Sequence, residues 1–264
     1  MIPLSARRLA TVLIASALSV AAPVPAQNRP VVAVLYFDNG ALVRPADYAP
    51  LSKGMADMLI TELSGNAKLR VVERDRLQAI LDEMKLAESD KVDRSTAVRI
   101  GRLLNARHLL TGGYVVDPKE KQMRLDVRAI DVETSEIVFG ETLSGDPGNV
   151  FGLVNDLAQR VSRRVEKLPG SAGTPPPDTP STPTKGSTPG PKTGAPLQTA
   201  ALPKPGPDKF RAVMLLSRAM IAQDKGKRDD AIALYKQAID VYPDYTRAKV
   251  LLAQLEARPR RSSF

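Results

Sequence analysis

An apolar run passes directly into a helical pattern between Leu69 and Leu81, with the sequence LRVVERDRLQAIL. The run ends at the charged residues 73–76. Apolar side chains then recur at i, i+3, i+4 and i+7, at Leu77, Ile80, Leu81 and Met84. This spacing is typical of an amphipathic helix. The segment therefore predicts a strand that leads into a helix, and residues 31–168 repeat this alternation.

The same reading along residues 27–168 predicts an α/β domain, more fully an α+β mixed sheet, with the element order βαβααβββα. The predicted strands are 31–37, 69–72, 107–116, 123–132 and 137–143. The predicted helices are 45–63, 76–87, 95–104 and 150–168. Asn105 follows the third helix, where a left-handed residue commonly closes a helix. Gly112 and Gly113 inside a strand predict a bulge or close backbone packing.

The first 26 residues have the pattern of a secretory signal peptide. Arg7 and Arg8 precede the apolar run 9–20, and small residues favour cleavage between Ala26 and Gln27. A membrane anchor is the alternative, but the run is shorter than the roughly 20 residues that span a bilayer. We expect an exported, periplasmic chain without a transmembrane segment in its mature form, lying in the periplasm or at the periphery of the outer membrane.

The chain contains no cysteine, which excludes disulfides, thiolate metal sites and a lipidated N-terminal cysteine. Its net charge of +9 is unevenly distributed. Residues 27–168 carry 21 basic and 21 acidic side chains, whereas residues 209–264 carry 12 basic and 6 acidic ones. We expect no nucleic-acid partner, since the basic region lacks an aromatic platform. An acidic protein, anionic lipid or wall polymer suits this charge better, and a merely solvated basic tail is the alternative.

Residues 169–208 are rich in Pro, Thr, Gly and Ser and show no apolar periodicity, which predicts a disordered linker. Residues 209–257 follow the tetratricopeptide pattern of small residues, an aromatic wedge and a terminating proline, with one repeat plus a capping helix. A basic tail, 258–264, follows. Because about three repeats are needed for independent stability, this module is expected to pack on a partner or on another copy.

The first helix of the predicted repeat carries the candidate partner-binding groove. In the usual geometry of the repeat, five of its residues would line the concave side: Val213, Leu216, Met220, Gln223 and Asp224. The alternative is that they pack on the third helix or on the first domain. The sequence leaves both readings open.

Three segments together resemble the curli secretion channel (CsgG) family in its broad sense, which includes the N-terminal domain of TolB and the synthase activator LpoB. They are VVAVLYFDNG from Val31, LRVVERDRLQAIL from Leu69, and ARHLLTGGYV followed by LDVRAIDVETSEIV. The resemblance covers residues 31–168 and implies a mixed α/β domain that works by protein contact. The chain departs from the family in lacking the membrane-inserting hairpins and the lipidated cysteine, and Ser135 stands where the family usually has Gly.

No catalytic constellation is recognisable. His108 is the single histidine, and a lone histidine beside a strand is more often packed than catalytic. No nucleophile triad, metal-binding helix motif or phosphate-binding loop occurs, so we expect no catalytic, cofactor or metal site. The prediction is a non-enzyme.

The leading hypothesis is an adaptor or accessory factor in cell-envelope assembly or secretion, with other envelope proteins as partners and self-association through the α/β domain. One alternative is a subunit of an outer-membrane secretion pore of the CsgG type. The other is an LpoB-like activator of a cell-wall synthase.

Overall fold

The computed structural model describes residues 29–86, 92–168 and 207–258. The predicted signal peptide with its cleavage point at Ala26 and Gln27 lies outside the described residues. So do residues 169–206 of the predicted linker and residues 259–264 of the predicted tail.

A mixed sheet organises the first part of the chain, which confirms the mixed α/β class. Its main path runs β3-β1-β4-β5-β6, and β2 pairs with β4. The contacts of β1 with β3 and β4 are parallel, whereas β4, β5 and β6 form an antiparallel meander. The strands are β1 Val31–Val34, β2 Asp38–Asn39, β3 Arg70–Val71, β4 His108–Asp117, β5 Gln122–Asp131 and β6 Ile137–Gly145.

Helices cover both faces of the sheet. They are α1 Pro45–Tyr48, α2 Leu51–Ser64, α3 Arg74–Glu83, α4 Arg94–Leu103, α5 Val150–Val165, α6 Pro207–Asp224, α7 Arg228–Val241 and α8 Thr246–Ala257, with a 3₁₀ turn at Pro147–Asn149. Val32 and Val34 of β1 pack in the core that contains α2 and α5. Ala33 belongs to the second core, under α3 and α4, because successive strand residues point to opposite faces.

The observed order contains elements that the sequence reading lacked. The helix predicted over 45–63 is divided at Ala49 and Pro50 into α1 and α2, and Pro50 supplies no backbone N–H there. Gly112 and Gly113 lie in a regular ladder with β5, and the register shift falls instead at Ala129 and Ile130 of the β5–β6 pair. Close packing explains Gly112, since a Cβ there would lie 2.0 Å from the carbonyl oxygen of Asp126.

Two predicted turn residues have left-handed backbones. Asn105 follows α4 with a φ of 51°, as expected for the residue that closes a helix. Ser135, in the β5–β6 turn, has a φ of 63°. A glycine would adopt that conformation at lower cost, by up to about 1 kcal/mol.

The C-terminal helices share one hydrophobic core with the α/β part. Buried residues of α2 and α5 and buried residues of α6, α7 and α8 form a single contiguous cluster. The ring of Phe151 on α5 packs edge-on against Tyr245, with ring centroids 5.0 Å apart. The predicted module therefore does not stand apart from the first domain in this structure, and α6 already begins at Pro207, inside the predicted linker.

The contact between α2 and α6 is close enough to require a glycine. A Cβ built on Gly54 of α2 would lie 1.9 Å from the Oγ of Ser217 and 3.7 Å from a methyl carbon of Val213. Ser217 is buried, and its hydroxyl donates to the carbonyl oxygen of Val213 at 2.7 Å. The absence of a side chain at Gly54 thus sets the distance between the two helices.

We expect Gly54→Ala to destabilise the chain. Alanine favours an isolated helix by about 1 kcal/mol over glycine, but overpacking a core contact costs about 1–3 kcal/mol. Urea unfolding should therefore show a net loss of stability, and hydrogen exchange should rise in α6.

Gly152→Ala is the matched control, because a Cβ at Gly152 of α5 meets the side chain of Asn149, which is free to turn away. It should be neutral or stabilising. Combining Gly54→Ala with Ser217→Gly should recover part of the lost stability. An unchanged midpoint for Gly54→Ala alone would contradict the close contact.

Candidate functional site

Three charged side chains of the α/β part are buried where the C-terminal helices pack. Lys53 and Asp57 lie on α2 and are 1% and 0% exposed. Arg74, the first residue of α3, is 3% exposed. Burying a charge is costly unless an opposite charge or hydrogen bonds compensate it. These three residues therefore need partners.

The C-terminal helices supply those partners, and we call the resulting set of residues the charged interface: Lys53, Asp57, Arg74, Asp224 and Arg247. Asp224, the last residue of α6, accepts from the Nζ of Lys53 at 2.6 Å and from the Nη1 of Arg74 at 2.8 Å. On α8, Arg247 donates to Asp57 through both Nε, at 2.8 Å, and Nη2.

The arginines of the charged interface stay ionised. Burial lowers the pKa of Arg74, but the charge of Asp224 and its hydrogen bond outweigh that effect and the net shift is upward. The hydrogen bonds to Asp57 raise the pKa of Arg247, and burial opposes them. Two cations on α2 and α3 thus share the single carboxylate of Asp224.

The five residues predicted to line a partner groove are brought together, but not as an open groove. Val213, Leu216 and Met220 are fully buried in the shared core. Gln223 accepts from the hydroxyl of Tyr235 at 2.9 Å, and Asp224 belongs to the charged interface. The side of α6 that carries these residues packs against α2 of the same chain, in the core that both helices share.

Sequence reasoning missed Lys53, Asp57, Arg74 and Arg247. A usable signal was present on α2. There, Lys53 and Asp57 are spaced i, i+4 within a stretch that is otherwise almost wholly apolar, from Leu51 to Ile60. Charges on a helix face that must be buried indicate buried counter-charges. The sequence does not show where in the chain those counter-charges lie.

A crevice of about 640 Å³ opens beside the charged interface. Its floor is the chain that leaves β1, from Leu35 to Asn39, together with Thr111 of β4. Arg218 and Ile221 of α6 close it, together with Lys225, which follows that helix. The remaining walls are formed by Pro45, Ala46, Ala49, Pro50, Ser52, Lys53, Leu81, Leu86 and Val92. Tyr36 is held in place because its hydroxyl donates to Gln78 Oε1 at 2.6 Å.

A second, more open depression lies between α6 and α7, and we call it the outer groove. Its members are Arg218, Ile221, Ala222, Lys225, Lys227, Asp230, Ala233, Leu234 and Gln237. Ala233 and Gln237 are exposed, whereas Leu234 is half-buried. The outer groove thus offers an apolar base with a predominantly basic rim.

His108 is a packed residue in the structure. It is fully buried at the start of β4, and neither ring nitrogen has a hydrogen-bond partner among the described residues. Burial lowers the pKa of His108 below its ordinary value of 6.5, and the nearby carboxylate of Asp131 only partly opposes that effect. The imidazole is therefore neutral near pH 7.

Within residues 29–86, 92–168 and 207–258, no group of three or more His, Asp or Glu side chains is placed to hold a metal ion. In the same described segments, no helix is both long and apolar enough to cross a membrane.

Comparison with protein families finds one match in the first half of the chain. The family described as curli production assembly/transport component CsgG matches residues 14–117, which is less than half of the 264 residues. The match includes α1 to α4 and all of the parallel part of the sheet, β1 to β4. No curated protein sequence matches the chain.

Several solved structures are similar to the chain at low identity. The LpoB C-terminal domain from Salmonella enterica is 17% identical, with 46% of this chain and 86% of that chain covered and a TM-score of 0.34. Lipoprotein GNA1162 from Neisseria meningitidis is 11% identical, with 50% and 96% covered and a TM-score of 0.38. The PelC dodecamer from Paraburkholderia phytofirmans is 19% identical, with 52% and 91% covered and a TM-score of 0.29.

Removing one partner of the Asp57–Arg247 pair should destabilise the chain strongly. Asp57→Ala leaves the Arg247 guanidinium, 24% exposed, without its carboxylate. We expect a loss of about 2–4 kcal/mol in urea unfolding, since breaking a buried pair costs about 3–5 kcal/mol and partial exposure of Arg247 reduces that figure. The double variant Asp57→Leu with Arg247→Leu should recover most of it.

The exposed pair Lys236–Glu256 provides the control for this experiment, with side chains 58% and 48% exposed. Glu256→Ala should cost less than about 1 kcal/mol. Equal losses for Asp57→Ala and Glu256→Ala would show that the charged interface does not hold the helices.

Stability should also depend on His108 at mildly acidic pH. The folded-state pKa of His108 is lowered, so below about pH 6.5 the unfolded chain binds more protons than the folded one. The free energy of unfolding should therefore fall as the pH drops, by up to about 1.4 kcal/mol per pH unit for one group. In His108→Phe, the contribution of His108 to the slope of the free energy of unfolding against pH should disappear between pH 5 and 7. The same slope in both proteins would contradict the assignment.

Proposed function

We propose that the chain is a non-enzymatic, exported accessory protein of the cell envelope that acts as an adaptor through protein–protein contacts. The family match at residues 14–117 supports an envelope role, because that family is described by assembly and transport. The tetratricopeptide-like character of residues 209–257 supports a role in recognition.

The outer groove is the observation that carries the adaptor role. The concave side of α6 is covered by α2, so the surface left for a partner is the opposite side of the α6–α7 pair. Ile221 and Leu234 provide apolar contact there, and cations outnumber the single acid, Asp230. This chemistry suits an acidic segment of another protein that carries apolar side chains.

The charged interface supports the same reading. It fixes α6 and α8 on the α/β part, so the outer groove has a constant orientation relative to the sheet. A rigid surface loses less conformational freedom on binding than a tethered, freely moving module. The adaptor would therefore present its partner at a defined position beside the α/β domain.

Site-specific cross-linking in the cells that make the protein tests the proposal. A photoreactive amino acid at Ala233, exposed in the outer groove, should give a cross-link to a defined envelope protein. The same probe at Ala253, exposed on α8 and outside the groove, should give none or a different one. Osmotic shock should release the protein with the periplasmic fraction.

A blocking substitution makes the test sharper. Ala233→Arg adds a long side chain to the outer groove and should reduce the cross-link made from a second groove position, Gln237. Ala253→Arg, on a helix position that is also exposed, should leave that cross-link unchanged. Cross-links to cytoplasmic proteins alone, or identical results with Ala233→Arg and Ala253→Arg, would contradict the adaptor proposal.

A further inference from the structure

The crevice occupies a position in the sheet that favours ligand binding. After β1 the chain continues into β2, which pairs with β4, and then returns through α1 and α2 to β3 on the other side of β1. In open α/β sheets, ligands bind outside the carboxyl ends of parallel strands. Leu35, Tyr36 and Phe37 leave β1 at that point, beside Thr111 of β4. The volume of the crevice, about 640 Å³, is also within the usual range of ligand sites.

Positive charge predominates in the crevice. Lys53, Arg218 and Lys225 line it, against one acid, Asp38. Asp224 lies behind Lys53 and also binds Arg74, which binds Asp75 as well, so two carboxylates balance these two cations and the excess positive charge comes from Arg218 and Lys225. The N-terminal end of α2 adds a partial positive charge at Ser52. The crevice therefore attracts a negatively charged group.

The walls of the crevice are largely apolar. Leu35, Phe37 and Leu81 are buried behind it, whereas Tyr36 and Ile221 are half-buried on its sides and Ala49 is exposed. The apolar surface of these last three residues that remains open to water favours an apolar ligand body. The charges lie toward α6, where Arg218 and Lys225 are exposed at the entrance. A ligand that satisfies both features has an anionic head and an apolar body.

We propose that this crevice binds an amphipathic anion, a molecule with one carboxylate or phosphate head and an aliphatic body. The head lies near Arg218 and Lys225, and the body contacts Tyr36, Ala49 and Ile221. The site is composite, because the α/β part supplies the floor and α6 supplies the cations. The crevice shares Arg218, Ile221 and Lys225 with the outer groove, but the inference is tested apart from the adaptor role, on the purified chain without a partner.

Calorimetric titration of the purified full chain tests the site. The probes are decyl phosphate and decanoate, below their micelle concentrations, with decyltrimethylammonium and inorganic phosphate as controls. Decyl phosphate and decanoate should bind with one site per chain. Decyltrimethylammonium should not bind, because it has the same aliphatic body and the wrong charge. Inorganic phosphate should bind at least about tenfold more weakly, because it lacks the apolar body.

Charge variants locate the head group. Arg218→Glu with Lys225→Glu should weaken decyl phosphate binding at least about tenfold. Lys236→Glu with Lys249→Glu makes the same change in net charge at exposed positions of α7 and α8, outside the crevice, and should leave the affinity within about twofold. All four positions are on the surface, so circular dichroism should show both proteins folded.

A substitution in the wall locates the apolar body. Ala49 lines the crevice and is exposed to solvent, so Ala49→Phe places a ring in the crevice. It should weaken decyl phosphate binding and leave the weak binding of inorganic phosphate unchanged. A membrane source of the ligand is distinguished from a free one by adding phosphatidylglycerol vesicles. Vesicles that compete with decyl phosphate identify a lipid head group, and vesicles that do not compete identify a free amphiphile.

Three outcomes would overturn the site. The first is no decyl phosphate binding at millimolar concentration. The second is equal binding of decyltrimethylammonium. The third is an equal loss of affinity in the two charge variants, which would show that net charge alone attracts the anion. None of these results bears on the cross-link from Ala233, so this inference and the adaptor role fail separately.

Discussion

The burial of Lys53, Asp57 and Arg74 is the constraint on which the arrangement of the whole chain depends. Their counter-charges lie far along the sequence, with Asp224 171 residues after Lys53 and Arg247 190 residues after Asp57. Without α6 and α8, Lys53 and Arg74 would lose the carboxylate of Asp224, Asp57 would lose Arg247, and Arg74 would keep only the half-exposed Asp75. The α/β part and the C-terminal helices are therefore one folding unit in energetic terms, although a long Pro-rich segment joins them.

Because α6, α7 and α8 pack on the α/β part, they cannot bind a partner in the way a separate module would. A tethered module would use the concave side of its first helix, whereas here that side packs against Gly54 and its neighbours on α2. The apolar face of the three C-terminal helices is covered within the molecule, by α2 and α5. Any partner therefore meets the outer side of α6 and α7.

Sequence patterns were sufficient for elements set by local chemistry. The strand and helix around Leu69–Leu81, the left-handed residue at Asn105 and the alternation along β5 all follow from residues close together in the chain. The patterns were insufficient for contacts between distant segments. Val213, Leu216 and Met220 form an apolar face whether that face binds a partner or packs within the chain. Periodicity does not show which surface covers such a face. The sequence did not reveal the crevice for the same reason, since residues of β2, α1, α2, α3, β4 and α6 contribute to it.

The charged interface and the crevice are coupled because α6 carries residues of both. Asp224 holds α6 to α2 and α3, and the adjacent Lys225, with Arg218 two turns earlier, faces the crevice. A rotation or withdrawal of α6 would break the contact with Lys53 and remove the cations from the crevice together. A ligand that needs those cations binds the docked arrangement and not the undocked one. It must therefore stabilise the docking of the helices, by an amount set by its concentration relative to its dissociation constant.

The same linkage extends to the outer groove, which shares Arg218, Ile221 and Lys225 with the crevice. Occupancy of one site consequently changes the electrostatic field and the mobility of the helix that the other site uses.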